Sequence, residues 1–489
     1  MLICKIIFIK KEGHMRKFEG VHFYININNL NSIIRKDENK NDDLTRTFHA
    51  LDTFTWALEN FVNEFNDIEI EKFTTSRYHF YFSCGASNND SKISSLIEII
   101  VFSKTLARTL AAIGKYQSMQ EFTIGIGCDW GQYTEYNFSN TEPKFEEMTT
   151  IGSPANRAAK LQSECGDGKV LISKALYDIM PRDIAGIFFG NGQLSAKLAL
   201  KYSDLTVYEA KIEELYNLTG SNYADRESRW IEKAKIHANE TNLSDVEFSE
   251  AKAKLDYLQL SLKNSKWIDN AVILFSDIRG FTNKVDHTDL VKIKQLTQDV
   301  LIQMDKAVVK ESGIHVQFQG DRESAIFHSY SDEPNNYIVR AITAAMRMLD
   351  FVYEFNKNSA TDKLDIGIGC AIGAVFATRI GMRGRKFNVA MGQTVKDADS
   401  TEDEVAGVGD NCSKTEIVIT KDMFLELKAV NSKQSLEYEK LFSNRKVNGR
   451  EYYVCTTGYK KFQENADLKT QNQNAERARH NNGIKPWGI

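Results

Sequence analysis

The chain has 489 residues, a length that predicts two or more domains. Its 62 basic and 66 acidic side chains leave a net charge of −4, so no global field favours nucleic acid or a membrane surface as a partner. A composition of 42% hydrophobic and 26% charged residues is typical of a globular protein and excludes an extended disordered chain. Seven cysteines without metal-ligand spacing, and no apolar run of bilayer length, predict a soluble cytoplasmic protein.

A long-period internal repeat organises the chain. The first half has a strand-like segment at 21–25, a helix-like stretch at 44–65, short strands at 68–73 and 78–82, and a helix at 93–113. The second half has the same series at 271–275, 290–309, 314–318, 324–328 and 335–355. Each series ends in a strand that contains IGIGC, at 124–128 and 366–370. This order predicts an α+β fold of two ferredoxin-like domains, each a sheet covered by helices.

The repeat also predicts the domain boundaries. We expect an N-terminal domain at 1–215, a helical linker at 216–268, a C-terminal domain at 269–461 and a disordered polar tail at 462–489. Within the linker, Ser244-Asp-Val-Glu247 forms a capping box ahead of Leu255, Leu258 and Leu262, which predicts a helix there.

Two carboxylates in the second half stand where strands end. The string Phe275-Ser-Asp277-Ile-Arg-Gly280-Phe-Thr282 closes a strand with an aspartate and a glycine turn, which can direct backbone N–H groups at phosphate. Downstream, Gly320-Asp321 puts a second aspartate in a hairpin turn. Two adjacent carboxylates repel each other unless cations lie between them, and hard oxygen ligands suit Mg²⁺ or Mn²⁺. Two such ions could activate a ribose hydroxyl and hold a triphosphate.

These motifs resemble the metal-binding half of the class III adenylate and guanylate cyclases, and the resemblance extends over both repeats. In that family, two catalytic domains share a site to which one gives metal aspartates and the other gives base, ribose and transition-state contacts. The resemblance implies two ions, Mg²⁺ or Mn²⁺, and a nucleoside triphosphate cyclised to a 3′,5′-cyclic nucleotide and pyrophosphate. It assigns metal contacts to Asp277, Ile278 and Asp321, and substrate phosphate contacts to Gly280, Phe281, Thr282 and Arg383.

The second repeat departs from the family at its other signature. Lys396 and Ser400 occupy the positions of the ribose-binding Asn and the transition-state Arg. The first repeat keeps Asn156 there and has Lys160 in place of the Arg, although an ammonium does not reproduce a guanidinium fork.

The metal positions show the opposite division. In the first repeat Asn26 and Ser76 stand where the metal aspartates are expected. The two repeats therefore complete one site together, and we expect a monomer whose domains pair as an intramolecular pseudo-heterodimer; a higher oligomer is left open.

Three lysine and threonine positions complete the comparison. Lys201 resembles a family lysine that contacts the triphosphate, although a surface lysine would also fit there. Lys72 and Thr149 lie at the two base-reading positions. A lysine donor beside a hydroxyl acceptor matches the edges of adenine and cytosine, whereas guanine and uracil present the reverse order.

The sequence therefore favours ATP or CTP as substrate. A stand-alone cyclase with diverged motifs is similar to the pyrimidine cyclases of Pycsar anti-phage systems, which favours a cytidylate cyclase, a phosphorus–oxygen lyase that makes cyclic CMP. The alternatives are an adenylate cyclase and a catalytically silent nucleotide-binding regulator. A polymerase palm is disfavoured by the Asn156 signature and by the lack of a basic cluster.

Overall fold

The structure is a computed structural model that describes residues 17–37, 41–74, 76–85, 89–117, 119–141, 144–190, 206–280, 290–359, 363–381, 386–407, 414–468 and 471. Within these ranges, no helix combines the length and the hydropathy needed to cross a membrane. The cysteines in the same ranges, at 84, 128, 165, 370 and 455, are all buried free thiols.

The first repeat is built on one mixed sheet. Its strands are β1 (Phe18–Ile27), β2 (Glu69–Thr74), β3 (Arg77–Ser83), β4 (Ile124–Thr141), β5 (Lys144–Gly152), β6 (Lys169–Ser173), β7 (Phe189–Gly190) and β8 (Val207–Lys211). Its helices are α1 (Leu30–Asp37), α2 (Asn41–Val62), α3 (Asp90–Ala111), α4 (Ser153–Glu164), α5 (Lys174–Ile179), α6 (Arg182–Ala185) and α7 (Ile212–Leu215). The strand order is β2-β3-β1-β4-β6-β8-β7, with β5 paired to β4.

The second repeat has the same strand order in its own sheet. The segment between the repeats contributes α8 (Tyr223–Glu240) and β9 (Phe248–Glu250). The strands that follow are β10 (Ser265–Ile278), β11 (Ile314–Gln319), β12 (Arg322–His328), β13 (Ile366–Ile380), β14 (Phe387–Met391), β15 (Glu416–Thr420), β16 (Ser443–Val447) and β17 (Arg450–Cys455). The helices are α9 (Leu290–Lys310), α10 (Tyr337–Asn358), α11 (Gln393–Ser400), α12 (Lys421–Val430) and α13 (Lys433–Glu439). The order β11-β12-β10-β13-β15-β17-β16 repeats that of the first sheet, which confirms the mixed α+β architecture.

Even the irregularities of the two sheets coincide. The β2–β3 hairpin shifts register between Ile70 and Lys72, and the β11–β12 hairpin shifts between His315 and Gln317. Both shifts occur at the same distance from the turn, so His315 is the counterpart of Ile70, and Gln317 that of Lys72. The duplication indicated by the sequence is therefore present at the level of individual strand pairs.

The shared IGIGC segment owes its second glycine to close helix packing. A Cβ on Gly127 would lie 2.2 Å from the backbone nitrogen of Gln162 in α4. A Cβ on Gly369 would lie 2.3 Å from the backbone nitrogen of Glu402, in the turn of π-helix Thr401–Val405 that follows α11. Only glycine lets the helix backbone approach the strand this closely.

Apolar side chains join the two repeats. The ring centroids of Phe48 in α2 and Phe376 in β13 are 5.5 Å apart, and Phe248 in β9 lies 5.2 Å from each of them. Aromatic pairs of this kind contribute about 0.5–1.5 kcal/mol beyond the burial of their area. The segment between the repeats thus packs against both of them.

Two expectations about the chain's connections are wrong. The predicted helix after Ser244 is absent: the capping box is made by Asn242 and Asp245 around a short 3-10 turn, and extended chain follows. Pairing of β9 with β10 and burial of Leu255 outweigh the helical pattern, because tertiary contacts override weak local propensity.

The second error concerns the tail, which was expected to be disordered from residue 462. Residues 459–468 are helical instead. Phe462 packs edge-on against Tyr438 with ring centroids 5.0 Å apart, and Arg347 lies 4.2 Å from the ring centroid of Tyr459. These aromatic contacts hold a segment whose polar composition alone does not predict order. Residues 469–470 and 472–489 lie outside the described residues.

His328 ties the connecting segment to the second sheet and makes it sensitive to acid. Its Nε2 accepts a hydrogen bond from the Leu255 N–H at 3.1 Å, so the ring proton is on Nδ1, which donates to the Ser329 carbonyl at 2.8 Å. Burial lowers the pKa of His328; the charged groups facing it are Arg340, Glu333 and Lys254. Protonation of Nε2 would break the bond to Leu255.

We therefore expect stability to fall as pH drops below about 6.5, the ordinary pKa of histidine, because the unfolded chain then binds a proton that the folded chain does not. Thermal unfolding between pH 7.5 and 5 should give a falling Tm. His328→Gln, whose side-chain carbonyl can still accept from Leu255, should reduce that pH dependence. An unchanged slope in the variant would contradict the assignment.

Candidate active site

The two predicted metal aspartates lie side by side. Asp277 is next to the end of β10, and Asp321 stands in the β11–β12 turn directly after Gly320, whose φ of 67° suits glycine. The two carboxyl groups are close enough for the charge of Asp277 to act on Asp321. Burial and the neighbouring Asp277 raise the pKa of Asp321 well above its ordinary value.

This arrangement fits a divalent cation. The donor atoms are carboxylate oxygens, and Ile278, beside Asp277, can add only its backbone carbonyl. Such an all-oxygen set suits Mg²⁺ or Mn²⁺, and a cation would offset the repulsion between the two carboxylates.

Two arginines that the sequence analysis did not single out surround the aspartates. Arg279 contacts Glu402 at 2.7 Å and lies 3.7 Å from Asp277. Arg322, the strand partner of Asp277, also contacts Glu402 at 2.7 Å and reaches Asp399. Burial raises the pKa of Glu402 to about 7 against the opposing effect of Arg322. Arg279 lies within the motif quoted around Asp277, and Arg322 directly follows Asp321. The spacing of these residues does not show which groups the two side chains contact.

Asn156, the predicted ribose-binding residue of the first repeat, lies close to the aspartate pair of the second repeat. Asn156 is in α4, and its Oδ1 lies 3.4 Å from where a Cβ on Gly320 would be, beside Asp321. Lys160, one helical turn further, contacts Asp403 of the second repeat at 3.3 Å. The structure therefore brings Asn156 and Lys160 to the carboxylate site, with Lys160 held in an ion pair.

The two base-position residues also lie together. Lys72 donates to the Thr149 hydroxyl at 3.2 Å and to the Phe318 carbonyl of β11 at 2.7 Å. The Thr149 hydroxyl in turn donates to Glu71 at 2.9 Å, so its remaining capacity toward a ligand is that of an acceptor. Lys72 is 4% exposed and Thr149 is fully buried.

Glu147 explains why the base-position pair is covered, and it was not predicted. This β5 carboxylate accepts from Lys72 at 3.2 Å and from the Phe318 N–H at 3.1 Å. It also lies 3.4 Å from Nε2 of His315. Burial alone would raise the pKa of Glu147, but Lys72 and His315 hold it below its ordinary value. The only sequence signal is its period-two spacing from Thr149, which puts both on one face of the strand.

Four of the predicted site residues cannot be placed. Phe281, Thr282, Arg383 and Lys201 lie outside the described residues. Gly280 is described and has a φ of 69°, the left-handed conformation that the predicted glycine turn requires.

The counterpart of the aspartate pair in the first repeat is neutral. The Ser76 hydroxyl donates to Asn26 Oδ1 at 2.7 Å, and the Asn26 amide donates to Asn28. These groups satisfy one another without a net charge. The carboxylate pair therefore belongs to the second repeat alone among these equivalent positions.

Comparison with known proteins identifies the class. Residues 264–455 match the adenylate and guanylate cyclase catalytic domain family, which confirms the resemblance carried by the motifs around Asp277 and Asp321. The second repeat is a class III nucleotidyl cyclase domain. Divalent metal ions are general in this class.

Individual relatives cover more of the chain. A uridylate cyclase from Pseudomonas aeruginosa is 24% identical over 422 residues, 80% of this chain and 76% of the relative. An adenylate cyclase from Anabaena cylindrica is 28% identical over 154 residues, 30% of each protein. Among solved structures, a class III adenylyl cyclase-like ATP-binding protein from Pseudomonas aeruginosa is 18% identical, with a TM-score of 0.66 over 92% of this chain and 90% of that one. This last similarity extends the class III cyclase-like fold over both repeats.

Removing Glu147 tests its role between the repeats. Glu147→Ala leaves the buried Lys72 ammonium and the Phe318 N–H without this acceptor, and breaking a buried ion pair costs about 3–5 kcal/mol. Urea unfolding should show a loss of that size. Glu69→Ala, an exposed glutamate at the start of β2, is the matched control and should change stability by about 0.5 kcal/mol or less. Equal effects of the two changes would refute a bridging role for Glu147.

Proposed function

We propose that the protein is a pyrimidine nucleotide cyclase that converts CTP to cyclic CMP and pyrophosphate at one site shared by its two repeats. The observation that carries the proposal is the approach of Asn156 of the first repeat to Gly320 of the second, the residue directly before Asp321. In this proposal 1–215 and 269–461 are the paired catalytic domains, an intramolecular pseudo-heterodimer, and the product serves as a second messenger in anti-phage signalling.

Each repeat has its own part in the reaction. Asp277, Asp321 and the carbonyl of Ile278 would hold two divalent ions, which supply activation of the ribose 3′-hydroxyl and neutralise phosphate charge. Asn156 would orient the ribose, and Lys160, once released from Asp403, would face charge that develops on the transferred phosphate. The turn at 280–282 with Arg383 and Lys201 would bind the triphosphate.

The choice of base rests on the hydrogen-bonding pattern around Lys72. The Thr149 hydroxyl gives its proton to Glu71, so it can accept from an exocyclic amine, while Lys72 can donate to a ring nitrogen. Cytosine and adenine offer this edge. Because Glu147 and Phe318 now bind Lys72, base binding would compete with that contact.

A second candidate substrate is UTP. The Pseudomonas aeruginosa relative is a uridylate cyclase, and the Glu147 carboxylate could accept from the N3–H of uracil. ATP satisfies the same edge pattern as CTP and is the alternative outside the pyrimidines. A silent regulator would bind a triphosphate without releasing pyrophosphate.

The metal aspartates should be individually essential. Asp277→Ala and Asp321→Ala should each lower Mn²⁺-dependent pyrophosphate release at least about 1,000-fold, since loss of metal stabilisation worth several kcal/mol costs a decade per 1.4 kcal/mol. Asn156→Ala should lower it as well, although it lies in the other repeat. Ser76→Ala, at the equivalent of Asp321 in the first repeat, is the matched control and should retain activity. Full turnover in either aspartate variant would overturn the site.

Base preference should follow the acceptor at Thr149. The protein incubated separately with the four triphosphates should prefer CTP or ATP over UTP and GTP at least about tenfold, because each mismatched buried group costs about 1–3 kcal/mol. Thr149→Val should erode that preference and leave metal dependence unchanged. Thr150→Val is the matched control, since Thr150 also donates to Glu71 but is not bonded to Lys72. Best turnover of UTP would instead support the second candidate.

A further inference from the structure

A second cluster of side chains that could bind a metal lies in the second repeat. It is on the face of the β11–β12 hairpin opposite to Asp277. His315 of β11 has Nδ1 2.8 Å from Glu323 Oε1 and 3.8 Å from Asp305 Oδ1 of α9. Ligand atoms of these three residues all lie within 4.8 Å of one another. Asp277 pairs with Arg322 and Ser276 with Glu323, so strand alternation directs Glu323 away from the face of Asp277.

The cluster is buried and incompletely satisfied. Asp305 is 4% exposed, and Glu323 is fully buried. A single Nδ1–H can serve only one of the two carboxylates well, and it serves Glu323 Oε1. Within the described part of the chain, Oε2 of Glu323 has no hydrogen-bond partner. An unpaired buried carboxylate oxygen is costly, so a group that binds both carboxylates at once would stabilise the cluster.

The fold itself does not require polar groups here. By the strand register, Ile70 is the first-repeat counterpart of His315, and Tyr78 is the counterpart of Glu323. Tyr78 is buried and bonded to Thr55 through its hydroxyl. One repeat therefore fills the position with an apolar residue and a satisfied phenol, and the other fills it with an imidazole and a carboxylate.

We propose that Asp305, His315 and Glu323 bind a divalent transition-metal ion, Zn²⁺ or Mn²⁺, separate from the ions of the catalytic pair. One imidazole with two carboxylates is a common donor set for these ions, whereas Mg²⁺ prefers oxygen ligands alone. The ion would take the position of the Nδ1 proton and contact Nδ1 together with both carboxylates. This proposal does not depend on which nucleotide the protein cyclises.

The Nε2 atom of His315 connects this cluster to the base-position pair, Lys72 and Thr149. His315 Nε2 lies 3.4 Å from Glu147, which in turn binds Lys72 and the Phe318 N–H. A metal-bound histidine with a carboxylate on its second nitrogen has its tautomer and ring orientation fixed. Metal on Nδ1 would therefore put the proton on Nε2, directed at Glu147. The Nε2–H would then help to keep Glu147 in contact with Lys72.

The test measures how many Zn²⁺ ions the full-length protein binds after EDTA has removed any metal already present. The Asp277→Asn variant, with the catalytic pair weakened, should take up one Zn²⁺ per chain by equilibrium dialysis and elemental analysis. Adding Glu323→Gln should weaken that uptake at least about 100-fold, and a large excess of Mg²⁺ should not displace the ion. Thermal unfolding should show a Zn²⁺-dependent rise in Tm that the double variant lacks.

A second variant keeps the proposal testable if the first one does not fold. If circular dichroism shows that Asp277→Asn with Glu323→Gln is unfolded, His315→Gln in the same background replaces it, with the same expected loss. The His22, Glu71 and His79 cluster of the first repeat serves as a control, because His79→Gln should leave the uptake that depends on Glu323 unchanged. Zinc uptake that is unaffected by both Glu323→Gln and His315→Gln, or none in the Asp277→Asn protein, would overturn the proposal.

Discussion

The hydrogen bond from the Phe318 N–H to Glu147 is the contact that holds the two repeats together beside the aspartate pair. It joins β5 of the first repeat to β11 of the second, immediately before the turn that carries Asp321. Burying a carboxylate costs several kcal/mol unless it is paired and hydrogen-bonded, so Glu147 constrains its neighbours strongly. Lys72, His315 and the Phe318 N–H meet that requirement together.

This constraint links three features that would otherwise appear unrelated. The Lys72 ammonium is held at the interface instead of facing solvent, which buries the base-position pair. The β11–β12 hairpin is held against the first repeat, and so Asn156 comes to lie beside Gly320. His315 has one ring nitrogen committed to Glu147 and the other directed at Asp305 and Glu323.

The two repeats share a framework and differ in where they place charge. Their strand order, hairpin irregularity and close glycine–helix contact are the same. At equivalent positions, one repeat has the neutral Asn26–Ser76 pair and the other has Asp277 with Asp321. Duplicated domains can diverge in this way because the same sheet accommodates either the neutral pair or the carboxylate pair.

The sequence by itself determined the duplication, most of the strands and helices, and the class. Periodicity and the IGIGC segments depend on local pattern, and FSDIRGFT with Gly320-Asp321 is specific enough to indicate paired carboxylates. It did not determine the chain between the repeats or the helix at 459–468, because strand pairing and aromatic packing there override local propensity. Only the tertiary structure decided that Glu147 bridges the repeats and that Arg279 and Arg322 lie beside the aspartates. Their role depends on which buried charges meet across strands and repeats, and no spacing in one chain encodes that.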